Sequence, residues 1–208
     1  DFQKFYYGKT VCEIGFGDGE FMRAAAPHSQ EFRGIELNSN SLIEARKDGF
    51  VVEDNLSKFS ENYFETIILF HTFEHFPDPL NKLRQIMRHL KKGGRVIIEV
   101  PHAGDFLLRD DVACEAFRRH TLWSQHLILH TRTSLTAMLK HAGFNGVTIQ
   151  GVQRYPLSNH LYWLANGKPG GHVSTLSAID NSNLLTCYQA SLARLDATDT
   201  IIAVATKK

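Results

Sequence analysis

The chain has 208 residues, 43% hydrophobic and 22% charged, with 15 Gly and 6 Pro, which excludes a disordered or collagen-like chain and suits one globular domain with a full apolar core. Lys and Arg number 23 against 22 Asp and Glu, and the net charge of +1 argues against a dedicated grip on nucleic acid or acidic membranes. Three widely spaced cysteines, Cys12, Cys114 and Cys187, form neither a disulfide framework nor a zinc ladder and fit a reducing, cytoplasmic setting. No apolar run approaches the ~20 residues of a membrane span, and no secretory signal is visible.

Strand and helix patterns alternate. Residues 10–15 read as a short buried strand ending in glycine, 20–26 as a helix and 32–36 as a second strand. Ser39 is a candidate N-cap for a helix through Lys47, with Gly49 as its stop. Residues 50–53 and 64–70 are the third and fourth strands. A helix opens near Asp78-Pro79 with Leu80, Leu83, Ile86, Met87 and Leu90 on one stripe, Lys91 and Lys92 in its last turn and Gly93-Gly94 after it. Residues 95–100 form a fifth strand, closed by Pro101. This order predicts parallel strands with crossover helices, an open α/β sheet. Further on, 102–132 has no clean period, 134–142 is a helix stopped by Gly143, and 147–152 is a strand. The polar stretch from 154 reads as a lid or substrate insertion, 154–199, within a single domain spanning 1–208. It carries a helix over 184–195, and 201–205 is the last strand.

Glu13-Ile14-Gly15-Phe16-Gly17-Asp18-Gly19 sits where a strand becomes a helix, so the backbone can turn sharply and approach a ligand. The nicotinamide fingerprint G-x-G-x-x-G would need its third Gly where Glu20 stands. An acidic residue, Glu36, lies 21 positions after Gly15, at the end of the next strand, as needed to take ribose hydroxyls. With Glu13 and the E-x-G-x-G-x-G spacing, this pair resembles motif I of the class I methyltransferases that use S-adenosylmethionine. Leu90-Lys91-Lys92-Gly93-Gly94 resembles the family's turn before the fifth strand, and Ala142-Gly143-Phe144 ends a helix like the one before its sixth. The resemblance covers residues 10–153 and, by position, 200–206. It is nearest to small-molecule methyltransferases of bacterial biosynthetic clusters.

The resemblance implies a Rossmann-like, doubly wound, seven-stranded sheet of order 3-2-1-4-5-7-6, strand seven antiparallel, in a three-layer αβα sandwich. It implies S-adenosylmethionine as cofactor, with Gly15, Gly17 and Gly19 cradling the methionine part and Glu36 on the ribose. Glu13, Leu37, Asp54, Asn55, Phe70 and His71 complete the cofactor set, with Asp54 on the adenine amino group. The family carries one or two helices before its first strand, where about ten residues stand here.

Eleven histidines remain to be placed. His71 and His102 sit just past the fourth and fifth strands, at the crevice of an open sheet, and with His126 are the candidate catalytic groups. In His71-Thr72-Phe73-Glu74-His75 a helical turn would put 71, 74 and 75 on one face. Related enzymes carry E-x-x-E-H here and bind a divalent metal. They include ubiquinone-type O-methyltransferases and a small-RNA terminal 2′-O-methyltransferase. Imidazole plus carboxylate would suit Zn, Mn, Fe, Co or Ni, with His126 or His130 as a further ligand. Metal-free relatives carry the same Glu-His pair to order a loop, and the site is read here without a metal. His75, His130, Arg132, Tyr155, Asn159 and Trp163 are candidate substrate contacts, and His28, His89 and His141 read as solvated helix ends. The expected acceptor is a small molecule such as a sugar or a cell-surface-biosynthesis metabolite. The aromatics of 154–199 equally suit a homodimer contact. An RNA 2′-O-methyltransferase and a non-catalytic cofactor-binding partner of the same fold are the alternatives, and the near-neutral charge weighs against the first.

Overall fold

The computed structural model describes residues 2–123 and 125–208. Strands β1 (Thr10–Ile14), β2 (Glu31–Ile35), β3 (Val51–Glu53), β4 (Phe64–Phe70), β5 (Leu90–Pro101), β6 (Asn145–Val152) and β7 (Thr200–Thr206) form one sheet of order β3-β2-β1-β4-β5-β7-β6. The pairs from β3 to β5 are parallel, and β7 runs antiparallel to both of its neighbours. This is the doubly wound arrangement expected from the sequence. The helices are α1 (Glu20–Ala25), α2 (Ser39–Lys47), α3 (Pro79–His89), α4 (Glu115–Thr121), α5 (Arg132–His141), α6 (Leu157–Asn166) and α7 (Ser182–Arg194). Among the described residues no helix is long and apolar enough to cross a membrane.

Side chains alternate across the strands, so the central strands feed two cores. On one face Ile67, Leu69, Val96 and Ile98 meet Leu83 and Ile86 of α3 and Leu135 and Leu139 of α5. On the other, Val11, Ile68 and Ile97 meet Met22 and Ala25 of α1 and Leu42 and Ala45 of α2. Three layers result.

Four local expectations need correction. The cap of α2 is Asn38, whose Oδ1 accepts the N–H groups of Asn40 (2.9 Å) and Ser41 (3.3 Å), while Ser39 is already helical. Helix α3 stops at His89, because fully buried Leu90 leaves it with extended backbone to pair with Phe64 on β4. Lys91 to Gly94 therefore belong to an irregular start of β5, where Gly93 turns with φ 76° and donates to the Lys207 carbonyl. Helix α5 begins at Arg132, two residues early, because Thr131 and Ser134 form a reciprocal capping box. His89 is buried, its Nδ1–H donating to the Gln85 carbonyl at 2.8 Å, whereas His28 and His141 are exposed as expected.

Within 154–199 the structure adds α6, which apolar periodicity did not reveal. Its inward face is polar: Ser158, Asn159 and His160 are buried beside Trp163.

The glycine loop is pinned from behind by Phe16, which is 5% exposed and packs where Gly34 of β2 leaves room. A Cβ on Gly34 would stand 2.6 Å from the Phe16 ring and 3.0 Å from Val52. Gly34→Ala is expected to lower unfolding stability by about 1–3 kcal/mol, with part regained in Gly34→Ala/Phe16→Leu. An unchanged urea midpoint in the single variant would contradict this packing.

Candidate functional site

In an open α/β sheet the ligand crevice lies beyond the carboxyl ends of the strands, where the strand order reverses. Here that point is between β1 and β4. The loop leaving β1 holds Gly15, Gly17 and Gly19 at φ 75°, 53° and 75°. The turn leaving β4 packs directly against it. A Cβ on Gly15 would lie 2.2 Å from Thr72 Oγ1, a hydroxyl that donates to the Phe70 carbonyl at 2.9 Å.

On the β1–β3 side, Glu36 follows β2. Its Oε1 accepts the N–H groups of Leu37 (2.7 Å) and Asn38 (3.0 Å), and its Oε2 accepts that of Gly17 (2.9 Å). Three backbone donors thus hold a carboxylate across the loop. Glu13, inside β1, is 3% exposed, and its Oε2 has no hydrogen-bond partner. Burial, helped by the nearby Glu36 charge, raises its pKa to about 8. Leu37 is 82% exposed beside this site. Asp54 is exposed at the end of β3 and pairs with Lys58 at 3.8 Å, while the Asn55 side chain caps the turn at 56–58. The Phe70 ring packs on Phe2 and Phe21 (centroids 5.7 and 4.9 Å), so that ring serves the N-terminal aromatic cluster instead of the crevice.

On the β4–β7 side lies a cavity of about 590 Å³. Its buried wall includes His102, Asp105, Asn159, His160 and Trp163, and its exposed rim includes Arg119, Trp123, Arg154 and Tyr155. His71 and His126 also line it. His71 has a left-handed backbone (φ 46°), uncommon for a non-glycine and typical of functional sites. Its Nε2 is 3.0 Å from Glu99 Oε1 and touches Arg154 Nη1, and its Nδ1 is 3.8 Å from Glu74 Oε1. Both ring nitrogens therefore face protein groups. His102 is 1% exposed, with Nδ1–H donating to the Thr198 carbonyl (3.0 Å), and burial lowers its pKa. His126 differs. Its Nδ1–H donates to the Thr121 carbonyl (2.7 Å), and no bond occupies Nε2 among the described residues.

The metal-like cluster is not the one the helical spacing suggested. The segment after Thr72 is a single 3-10 turn, Phe73–His75. Glu74, His75 and His126 each offer a ligand atom within 4.8 Å of the others, and His71 is not part of that set. His75 Nδ1–H donates to the Gln125 carbonyl at 2.6 Å, so in both imidazoles the backbone fixes Nδ1 and leaves Nε2 as the lone-pair nitrogen. Glu74 is 1% exposed, neither carboxylate oxygen has a hydrogen bond, and burial raises its pKa.

Three expected substrate contacts lie elsewhere: His75 sits against Gln125 and His126 and, like His130 and Arg132, does not line the cavity. His130 is completely buried and stacks on Phe73 (5.4 Å), with burial pulling its pKa down to about 4, and it does not line the cavity. Arg132 is committed to structure: it pairs with Asp196 and donates Nη1–H to the Ile149 carbonyl (2.9 Å). Tyr155, Asn159 and Trp163 do line the cavity. Sequence reasoning assigned no role to Thr72, Glu99, Asp105 and Asp199, which stand at or near the ends of elements with no spacing partner to reveal them, while Arg154 and His160 fall in the aromatic and donor-rich segment expected to contact substrate.

A family model described as a methyltransferase domain matches residues 2–149. Curated relatives include the ubiquinone biosynthesis O-methyltransferase of Pseudomonas paraeruginosa, 27% identical over 174 residues, covering 76% of this chain and 74% of that one. The enzyme of the same name from Aeromonas salmonicida is 26% identical over 171 residues, covering 74% and 71%. A SAM-dependent methyltransferase from Archaeoglobus fulgidus has the same fold, with TM-score 0.68 at 17% identity over 98% of this chain and 89% of that one. So has a Haemonchus contortus phosphoethanolamine N-methyltransferase 2 in complex with S-adenosyl-L-methionine, with TM-score 0.61 at 20% identity over 99% and 50%.

The raised Glu13 pKa makes a stability prediction. Between the ordinary carboxyl value of 4.5 and about 8, the folded state holds a proton that the unfolded chain has lost, so stability falls as pH rises through that window. Glu13→Gln removes this cost. It should be more stable than the parent at pH 8 by at least ~1 kcal/mol, with the gap closing toward pH 5. A pH-independent gap in chemical denaturation would contradict the assignment.

Proposed function

The chain belongs to the class I S-adenosylmethionine-dependent methyltransferases, and from that premise we propose that it methylates a small polar acceptor held in the cavity beside His71. One observation carries this reading: the glycine loop packs on Thr72 and the cavity begins at His71, so a donor held by the loop would face an acceptor in the cavity.

The residues on the β1–β3 side fit the cofactor. Gly15, Gly17 and Gly19 give close backbone approach, and the unpartnered buried Glu13 carboxyl suits the cationic amino group of the methionine part. Glu36, held by three backbone donors, is placed for ribose hydroxyls, with exposed Leu37 and the Asp54-Asn55 segment on the adenine side. The cofactor supplies a methyl group already activated on a sulfonium sulfur. What the protein adds is alignment and, for a hydroxyl acceptor, a place for the proton lost as the new bond to carbon forms. His126 is the best-placed base, because its Nδ1–H is fixed by a carbonyl and its Nε2 lone pair is available at the cavity. His71 and His102 position other groups. His71 is held between Glu74 and Glu99, and His102 is buried on the Thr198 carbonyl.

Tyr155 and Trp163 beside Asn159 support a sugar or a similarly polar metabolite. The two curated relatives matched by sequence are O-methyltransferases, which supports oxygen as the methylated atom.

A second reading is favoured by the unsatisfied Glu74. Glu74, His75 and His126 fit a divalent cation, which would act as a Lewis acid on the acceptor oxygen. Elemental analysis of purified protein decides it: a stoichiometric metal lost in Glu74→Ala supports it, and metal-free active protein removes it.

Calorimetric titration with S-adenosylmethionine should give one site per chain, and Glu36→Ala should weaken it by about tenfold or more, the worth of its charged hydrogen bonds. Parent protein that releases no heat would contradict the proposal, as would an unchanged Glu36→Ala.

A further inference from the structure

The cavity is lined by two carboxyl groups, buried Asp105 and half-buried Asp199, and its buried wall holds neither Lys nor Arg. Asp199 is well satisfied by neutral donors: Gln153 Nε2 (2.8 Å), the Arg154 N–H (3.0 and 3.1 Å) and the Tyr155 N–H (3.1 Å). Asp105 is not. It is 3% exposed, and among the described residues its carboxyl accepts one hydrogen bond, from the Leu107 N–H to Oδ1 at 2.7 Å. Its neighbours cannot neutralise it. His160 places Nδ1 on the Tyr188 hydroxyl (2.5 Å) and Nε2 on Gln153, and His102 is committed to the Thr198 carbonyl. Arg119 and Arg154 stand at the exposed rim, and Arg154 is engaged with His71 and Glu99. Burial and the Asp199 charge together raise the Asp105 pKa to about 7, as expected of like charges sharing a desolvated space.

The same wall presents aromatic surface. Trp163 is 4% exposed, and Phe117 packs edge-on against it, with centroids 5.2 Å apart at 82°. Both line the cavity with Asp105. A buried carboxylate with spare acceptor capacity, lining the same cavity as a buried indole and a half-buried phenyl ring, suits an organic cation. A neutral hydroxyl could satisfy the oxygen lone pair but would not relieve the Asp105–Asp199 repulsion.

We propose that this wall is an ammonium-recognition subsite, in which Asp105 and the Trp163 ring hold a protonated amine of the acceptor, away from the atom that receives the methyl group. The inference deepens the reading of the cavity as the acceptor site. It narrows the acceptor class to amine-bearing small molecules.

The test needs no knowledge of the natural acceptor. Benzylamine and its neutral counterpart benzyl alcohol are titrated into the protein by calorimetry at pH 7.5, with Trp fluorescence as a second readout. The account expects benzylamine to bind about tenfold or more tightly than benzyl alcohol, and expects Asp105→Asn to abolish that preference. S-adenosylmethionine affinity should be unchanged in the variant, which also shows that it is folded. Equal binding of the two probes to the parent protein overturns the proposal without any variant. Failure of benzylamine to bind up to its solubility limit, or a preference that survives in Asp105→Asn, overturns it as well. Failure of the methyltransferase reading looks different: it is loss of S-adenosylmethionine binding, whatever the amine probe does.

Discussion

The site depends on a missing side chain. Gly15 has no Cβ, so Thr72 can occupy the place where one would stand. That contact joins the loop after β1 to the turn after β4 across the point where the strand order reverses. It brings the glycine loop with Glu13 and Glu36 on one side against His71 and the cavity on the other. A side chain at position 15 would push the two halves apart, and a methyl group would then have to cross the gap. The left-handed backbone of His71 belongs to the same constraint, because the chain must turn sharply after β4 for Thr72 to reach the loop.

Three buried acids are only partly satisfied. Glu13, Glu74 and Asp105 are each at most 3% exposed, and burial raises the pKa of all three. In a fold selected for stability alone, such groups would be paired or replaced by apolar residues. The sheet core elsewhere is filled with Ile, Leu, Val and Phe, so these acids stand out against it and are the positions the proposed ligands would complete.

The sequence showed most clearly what geometry repeats. The central strands are continuous apolar runs because both faces of the sheet are covered. The Gly15–Glu36 spacing is set by α1 and β2, so the residues proposed for the cofactor stand out in the sequence itself. Helix α6 escaped notice because its buried face is Ser158, Asn159 and His160, which no hydrophobic pattern reports. The acceptor half was legible only in part. His126 and Trp163 come from a loop and a helix far from β4 in the chain, and Asp105 and Asp199 meet only through the fold. The His71-Glu74-His75 face assumed a helix, and the 3-10 turn that formed instead exchanged His71 for His126. His130 and Arg132 were misplaced because the cap at Thr131 and the Asp196 pair draw that segment into structural work.

In the proposed reading, cofactor and acceptor occupy separate halves of the molecule that meet at His71-Thr72. Its most direct test is a crystal structure with bound S-adenosylhomocysteine. The account predicts ribose density at Glu36 and the anomalous signal of the ligand sulfur beside Thr72, facing a cavity that remains open. Density for the nucleoside between Asp105 and Trp163, with the glycine loop unoccupied, would contradict it.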